Sequence, residues 1–146
     1  MAYWDTSCLL KLYAPERDSA VFKAHLLAGA LTITSFITRL ELWAALRRKE
    51  SLGDLRPGGA RLALAAYDAD VAAGLIQVAP LDSTVTRHFE SIIERCHGRP
   101  PPVVLRTLDA IHAATAVASG ESEIVATDKR LREAALDIGL TVYPLP

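Results

Sequence analysis

The chain has 146 residues, 51% of them hydrophobic, and a mean hydropathy of +0.21. That suits one domain with a proper core and excludes a disordered chain. The formal net charge of −1 excludes a global pull toward nucleic acid, so any polyanion must be held by local patches or bound cations. Cys8 and Cys96 form no metal-ligand or redox spacing, and neither a leader nor a membrane-spanning stretch is visible. The expectation is a cytoplasmic protein without a membrane partner.

Ala2-Tyr3-Trp4 sets two strand-forming aromatics before Asp5-Thr6-Ser7, the pattern of a buried strand stopping at a helix start. Ser7 to Tyr13 predicts a short helix, capped by Thr6 or Ser7 while Asp5 faces outward. Pro15-Glu16-Arg17-Asp18 opens a second helix, with Val21, Phe22, Leu26 and Leu27 inward and Gly29 as its stop. Leu31 to Thr34 reads as a second strand. Ser35 then caps a helix to about Leu52, with Ile37, Leu40, Trp43, Ala44 and Leu46 as its buried stripe and Glu41 beside it. After a Gly- and Pro-containing connection, an Ala-rich helix from Ala60 to Leu75 completes a helical hairpin that stands off the sheet. Ile76 to Leu81 is a third strand, and Asp82 or Ser83 caps a helix bearing Val85, Phe89, Ile92 and Ile93.

The run from Cys96 to Pro102 breaks that helix, and its three prolines predict a stiff, extended connector. Val103 to Ser119 reads as a helix with Leu105, Leu108 and Ile111 inward and Asp109 adjoining them. Glu123 to Asp128 is a fourth strand, Lys129 to Ile138 a helix stopped by Gly139, and Leu140 to Pro144 a last strand. The alternation predicts an α/β fold: a short, mostly parallel sheet flanked by helices, in one domain spanning residues 1–146.

Four carboxylates stand where solvation alone does not explain them. Asp5 and Asp128 end strands, whereas Glu41 and Asp109 lie beside apolar helix stripes. Each has an ordinary alternative: Asp5 and Asp128 as helix caps, Glu41 paired with an arginine, Asp109 bonded to Arg106 or His112. Together, two strand-end acids and two helix acids can converge at one sheet edge. Such a group repels itself without a counter-ion. An oxygen-only ligand set selects Mg²⁺ or Mn²⁺ and suits metal-assisted phosphodiester hydrolysis.

Four segments occur in an order that resembles the PIN-domain nucleases, and within them the VapC-type toxins of type II toxin–antitoxin pairs. They are Tyr3 to Tyr13, Thr38 to Glu41, Leu105 to Ala114 and Ala126 to Leu131. The resemblance spans essentially the whole chain. It implies a three-layer PIN fold and a Mg²⁺- or Mn²⁺-dependent endoribonuclease. Metal-activated water would leave a 3′-hydroxyl and a 5′-phosphate. A small VapB-like antitoxin and a homodimeric state are implied as well. By position, Asp5 and Asp109 correspond to the direct metal ligands, Glu41 and Asp128 to the supporting acids, and Thr6, Ser7 and Thr127 to polar residues lining the site. The prolines at 100–102 depart from the pattern.

Arg106 is a candidate RNA phosphate contact or an acid-paired arginine. His112 reads first as a helix-packing residue and second as a substrate contact. Arg39, Arg47, Arg48, Lys49, Arg56 and Arg61 concentrate positive charge on the predicted hairpin, either along an RNA path or as a solvated face. Two other functions stay open: a PIN ribonuclease of RNA processing, and a non-catalytic PIN protein that binds RNA or antitoxin.

Overall fold

The computed structural model describes residues 1–28 and 31–145. Along them run β1 (Ala2–Trp4), α1 (Thr6–Tyr13), α2 (Ser19–Ala28), β2 (Thr32–Ser35), α3 (Thr38–Ser51), α4 (Gly59–Ala72), β3 (Ile76–Ala79), α5 (Ser83–Gly98), α6 (Thr107–Ala118), β4 (Glu123–Val125), α7 (Lys129–Asp137) and β5 (Thr141–Tyr143). The expected stop at Gly29 and the chain's last residue lie outside the described residues.

All strand pairs are parallel, in the order β3-β2-β1-β4-β5. Helices cover both faces, as an all-parallel sheet requires. Successive strand residues point to opposite faces. Tyr3 and its neighbours Ile33 and Ile124 therefore enter one core with α5, α6 and α7, while Trp4 and its neighbour Val125 enter a second core with α1 to α4. Three layers result, with β1 at their centre. The hairpin of α3 and α4 turns at Gly58, where φ is 83°, and Glu50 Oε2 accepts from the Ala60 N–H at 2.8 Å. It packs its inner side, including Leu42, Leu46, Ala63 and Tyr67, into the second core.

Three helices begin later than their sequences predict. Pro15 to Asp18 form a turn, closed by the Glu16 N–H donating to Ser19 Oγ at 2.8 Å, and α2 starts after it. Ser35 is the last residue of β2, not a cap, because all four residues of that strand are buried. The inward residues of α3 are consequently Leu42 and Leu46, with Leu40 59% exposed. Residues 103–106 run extended before α6, burying Val103 and Leu105 at a spacing of two. Small residues, Ala110, Ala113, Ala114 and Ala116, then form the inward face of α6, and Leu108 is exposed. In the proline connector the Pro100–Pro101 peptide is cis.

Candidate active site

The chain adds β2 and β3 on one side of β1, then β4 and β5 on the other. Open α/β sheets bind ligands outside the strand carboxyl ends where the strand order reverses in this way. Asp5 directly follows β1, and its N–H donates to Val125 O at 3.1 Å, which extends the β1–β4 ladder to the residue carrying the carboxylate. Asp128 ends the short loop after β4. Arg132 holds that loop, its guanidinium donating to Ala126 O (2.8 Å) and Pro144 O (2.7 Å). Glu41 and Asp109 come from the first turns of α3 and α6. These four acids line one cleft of about 330 Å³ with Thr6, Ser7, Thr127, Arg106 and His112. The acids and polar residues expected at the site are all there with Arg106, and His112, expected first as a helix-packing residue, joins them.

Asp5 is 6% exposed and is itself the cap of α1, the ordinary alternative its position offers, in place of Thr6 or Ser7. The Cys8 N–H donates to its Oδ1 at 2.9 Å, and Ser7 Oγ lies 3.0 Å from both carboxylate oxygens. The cap falls to Asp5 because α1 starts at Thr6, and a cap bonds the N–H groups two or three residues on. Burial pushes the Asp5 carboxyl above the usual carboxylate range, against the opposing pull of His112, Cys8 and Ser7.

Asp128 caps α7 through Oδ1, accepting from the N–H groups of Arg130 (2.9 Å) and Leu131 (3.0 Å). Arg106 pairs with Asp109 through Nε at 2.7 Å and reaches Asp128 Oδ2 through Nη2 at 3.6 Å. In the structure it is therefore paired with acids at the cleft.

Glu41 is held through one oxygen. Its Oε2 accepts from Thr6 Oγ1 at 2.5 Å and lies 2.8 Å from His112 Nε2. Burial raises the Glu41 carboxyl, but the bonds from His112 and Thr6, with the charges of His112 and Arg106, outweigh it and hold the group below the ordinary glutamate range. A depressed carboxylate adds stability above its unfolded pKa and loses it as pH falls through its folded pKa. Wild type minus Glu41→Gln should therefore show about 1 kcal/mol of extra stability at neutral pH, vanishing in acid. Urea unfolding across a pH series checks this; a difference that persists in acid contradicts it.

The donor set suits a hard divalent cation: four carboxylates with hydroxyls between them and no competing thiolate. The one nearby thiol, Cys8, is buried, and burial together with Asp5 pushes it far above its usual pKa. Among the described residues, no three His, Cys, Asp or Glu side chains form a closed metal cluster. The acids share a cleft, yet two of them serve as caps and a third is clasped by Arg106.

Three of the six basic residues of the hairpin pair with acids. Arg39 pairs with Asp68, Arg47 with Glu50 and Lys49 with Glu16, while Arg47 and Arg61 each lie 5.6 Å from the Trp43 ring. Arg48 pairs with no acid among the described residues, and it borders a groove shared with Thr6, Ser7, Glu41 and Arg106.

The PIN domain family model matches residues 2–136. Ribonuclease VapC46 of Mycobacterium tuberculosis is 30% identical over 142 residues, covering 96% of this chain and 94% of that protein. The FitAcB crystal structure from Neisseria gonorrhoeae gives a TM-score of 0.71 at 21% identity, covering 98% of this chain and 96% of that one. VapC20 of Mycobacterium tuberculosis, described as a Sarcin-Ricin loop cleaving toxin, gives 0.69 at 19% identity, covering 92% and 95%. At such identities the two structures speak to the fold alone.

Proposed function

This chain belongs to the PIN-domain family, and from that premise we propose that it is a VapC-type endoribonuclease, the toxin of a type II toxin–antitoxin pair. One observation carries the reading: four carboxylates from four separate segments line a single cleft at the carboxyl ends of β1 and β4. Asp5 and Asp109 would hold Mg²⁺ or Mn²⁺, with Asp128 and Glu41 supporting it through water or at a second ion. Bound there, the ion supplies Lewis-acid polarisation of the scissile phosphate and a more acidic attacking water.

The chain's own residues do the rest. Ser7 fixes the Asp5 carboxylate, and Glu41 orients the attacking water. Arg106 exchanges Asp109 for a phosphate oxygen, an acceptor of matching fork geometry. Arg48 continues the positive path beside the cleft, while Thr6, Ser7 and Thr127 line the RNA strand. An apolar groove of Leu12, Leu26, Leu27, Leu31 and Leu75 favours an amphipathic antitoxin helix as partner. The reading includes a single domain, a homodimer and a cytoplasmic setting; no described helix is long and apolar enough to cross a membrane.

Purified protein should cleave RNA with Mg²⁺ or Mn²⁺, leave 5′-phosphate ends and stop on addition of EDTA. Asp109→Asn should lower the rate by at least about a hundredfold. Unchanged cleavage in EDTA or in that variant sinks the site assignment. Expression should arrest growth, with rescue by the product of a short neighbouring reading frame; cleavage without arrest points to RNA processing instead.

A further inference from the structure

Beneath the cleft lies a buried polar chain, two of whose members, Tyr3 and His112, the proposed chemistry leaves without a role. Tyr3 and His112 are 0% and 3% exposed, and they stand on β1 and α6. Tyr3 Oη lies 2.6 Å from His112 Nδ1, and the two rings meet edge to face. On its other side the imidazole places Nε2 at 2.8 Å from Glu41 Oε2. Thr6 reaches the same oxygen from α1. Three stretches distant in sequence, residues 3–6, Glu41 and His112, thus meet through one line of hydrogen bonds.

The line has a direction. With one ring proton, the imidazole carries it on Nδ1 or on Nε2. A proton on Nδ1 would leave the Nε2 lone pair facing a carboxylate oxygen at 2.8 Å, two acceptors in repulsive contact. A proton on Nε2 gives every group a partner: the Tyr3 phenol donates to Nδ1, and Nε2–H donates to Glu41. Orientation of an imidazole by a group on its far nitrogen is a general way to fix the near one. Glu41 Oε2 then accepts two bonds, from His112 and Thr6. Oε1 accepts none among the described residues, which leaves it to the cleft that Glu41 lines.

We propose that Tyr3 and His112 are positioning residues for Glu41: the Tyr3 hydroxyl locks His112 as the Nε2–H tautomer, which pins Glu41 Oε2 and presents Oε1 to the reaction. The role rests on the nuclease reading of the cleft; the tautomer does not.

The test uses the full chain. Long-range ¹H–¹⁵N correlation of the metal-free protein should show the His112 proton on Nε2 and a bare Nδ1; a proton on Nδ1 overturns the proposal. With Mg²⁺ and RNA, Tyr3→Phe should lower kcat about tenfold with KM within about twofold. His112→Gln keeps an amide donor toward Glu41 and should lose about fivefold, against about fiftyfold for His112→Leu. Equal losses in the two His112 variants, with near-ultraviolet circular dichroism showing both folded, overturn it. If either variant fails to fold, the tautomer and Tyr3→Phe decide. If wild-type protein cleaves no RNA, the nuclease reading fails instead, and the spectrum still decides the tautomer.

Discussion

Asp5→Asn should reduce RNA cleavage about a thousandfold, a loss of about 4 kcal/mol in transition-state stabilisation, and leave the fold intact. Asparagine caps a helix about as well as aspartate. Its amide oxygen still accepts from the Cys8 N–H that Asp5 Oδ1 accepts from at 2.9 Å, so α1 keeps its start. What disappears is a negative charge on a side chain that is 6% exposed. Because burial raises the Asp5 carboxyl, the folded state takes up a proton more readily than the unfolded one. The stabilising contribution of such a group is complete below its unfolded pKa and lost as pH rises through its folded pKa. At neutral pH the metal-free wild type therefore carries an unrelieved cost. Asp5→Asn should melt higher by roughly 3 °C, about 1 kcal/mol. If the proposed site holds Mg²⁺, the ion should reverse the order: binding only the folded state, it should raise the wild-type Tm, with little gain for the variant. Calorimetry with and without Mg²⁺, beside a cleavage assay, reads all three. A variant that cleaves normally, or that gains as much from Mg²⁺ as wild type, removes Asp5 from the site.

How legible this was depended on distance along the chain. Asp5 and Asp128 announce themselves locally, since an apolar strand stops at an acid followed by a helix, and both are caps in the structure. Capping chemistry is short-range, so local sequence carries it. Glu41 and Asp109 are legible only in combination, and the stripes beside them are only partly right: Ile37, Leu46 and Leu105 are buried as expected. Leu40 and Leu108 look inward by spacing, but they are exposed because α3 and α6 start later than expected. A chain can bury Val103 and Leu105 as an extended segment or, with Leu108, as a helix face; the packing of α6 on α5 decides for the first. His112 is the site residue the sequence ranks too low, as helix packing before a substrate contact. Its partners Tyr3 and Glu41 lie 109 and 71 positions away, and no local pattern signals a bond at that range. The sequence clue was the two residues together: a tyrosine in the first strand and a histidine on the helix that follows a site acid.

Trp4→Ala should disable the protein by a different route, through the population that is folded. Trp4 is 2% exposed on the central strand, and its ring meets Phe22 edge-on at 6.3 Å and lies 5.9 Å from His25. Strands flank β1 on both sides, and the opposite face holds the first core, so the surroundings cannot close over the missing ring. Truncating a buried tryptophan costs about 3–5 kcal/mol. Against a total of about 5–15 kcal/mol for a domain of this kind, much of the stability goes. Urea unfolding should show a large drop in the midpoint with an unchanged slope. The carboxylates survive this substitution, so Mg²⁺ should still raise the Tm of Trp4→Ala by an amount comparable to the wild-type gain, where Asp5→Asn shows almost none. Cleavage at low temperature, scaled to the folded fraction, should stay within about tenfold of wild type. If Trp4→Ala instead loses the Mg²⁺ response, the ring holds the Asp5 carboxylate in place as well as filling the core, and β1 couples packing to the site directly.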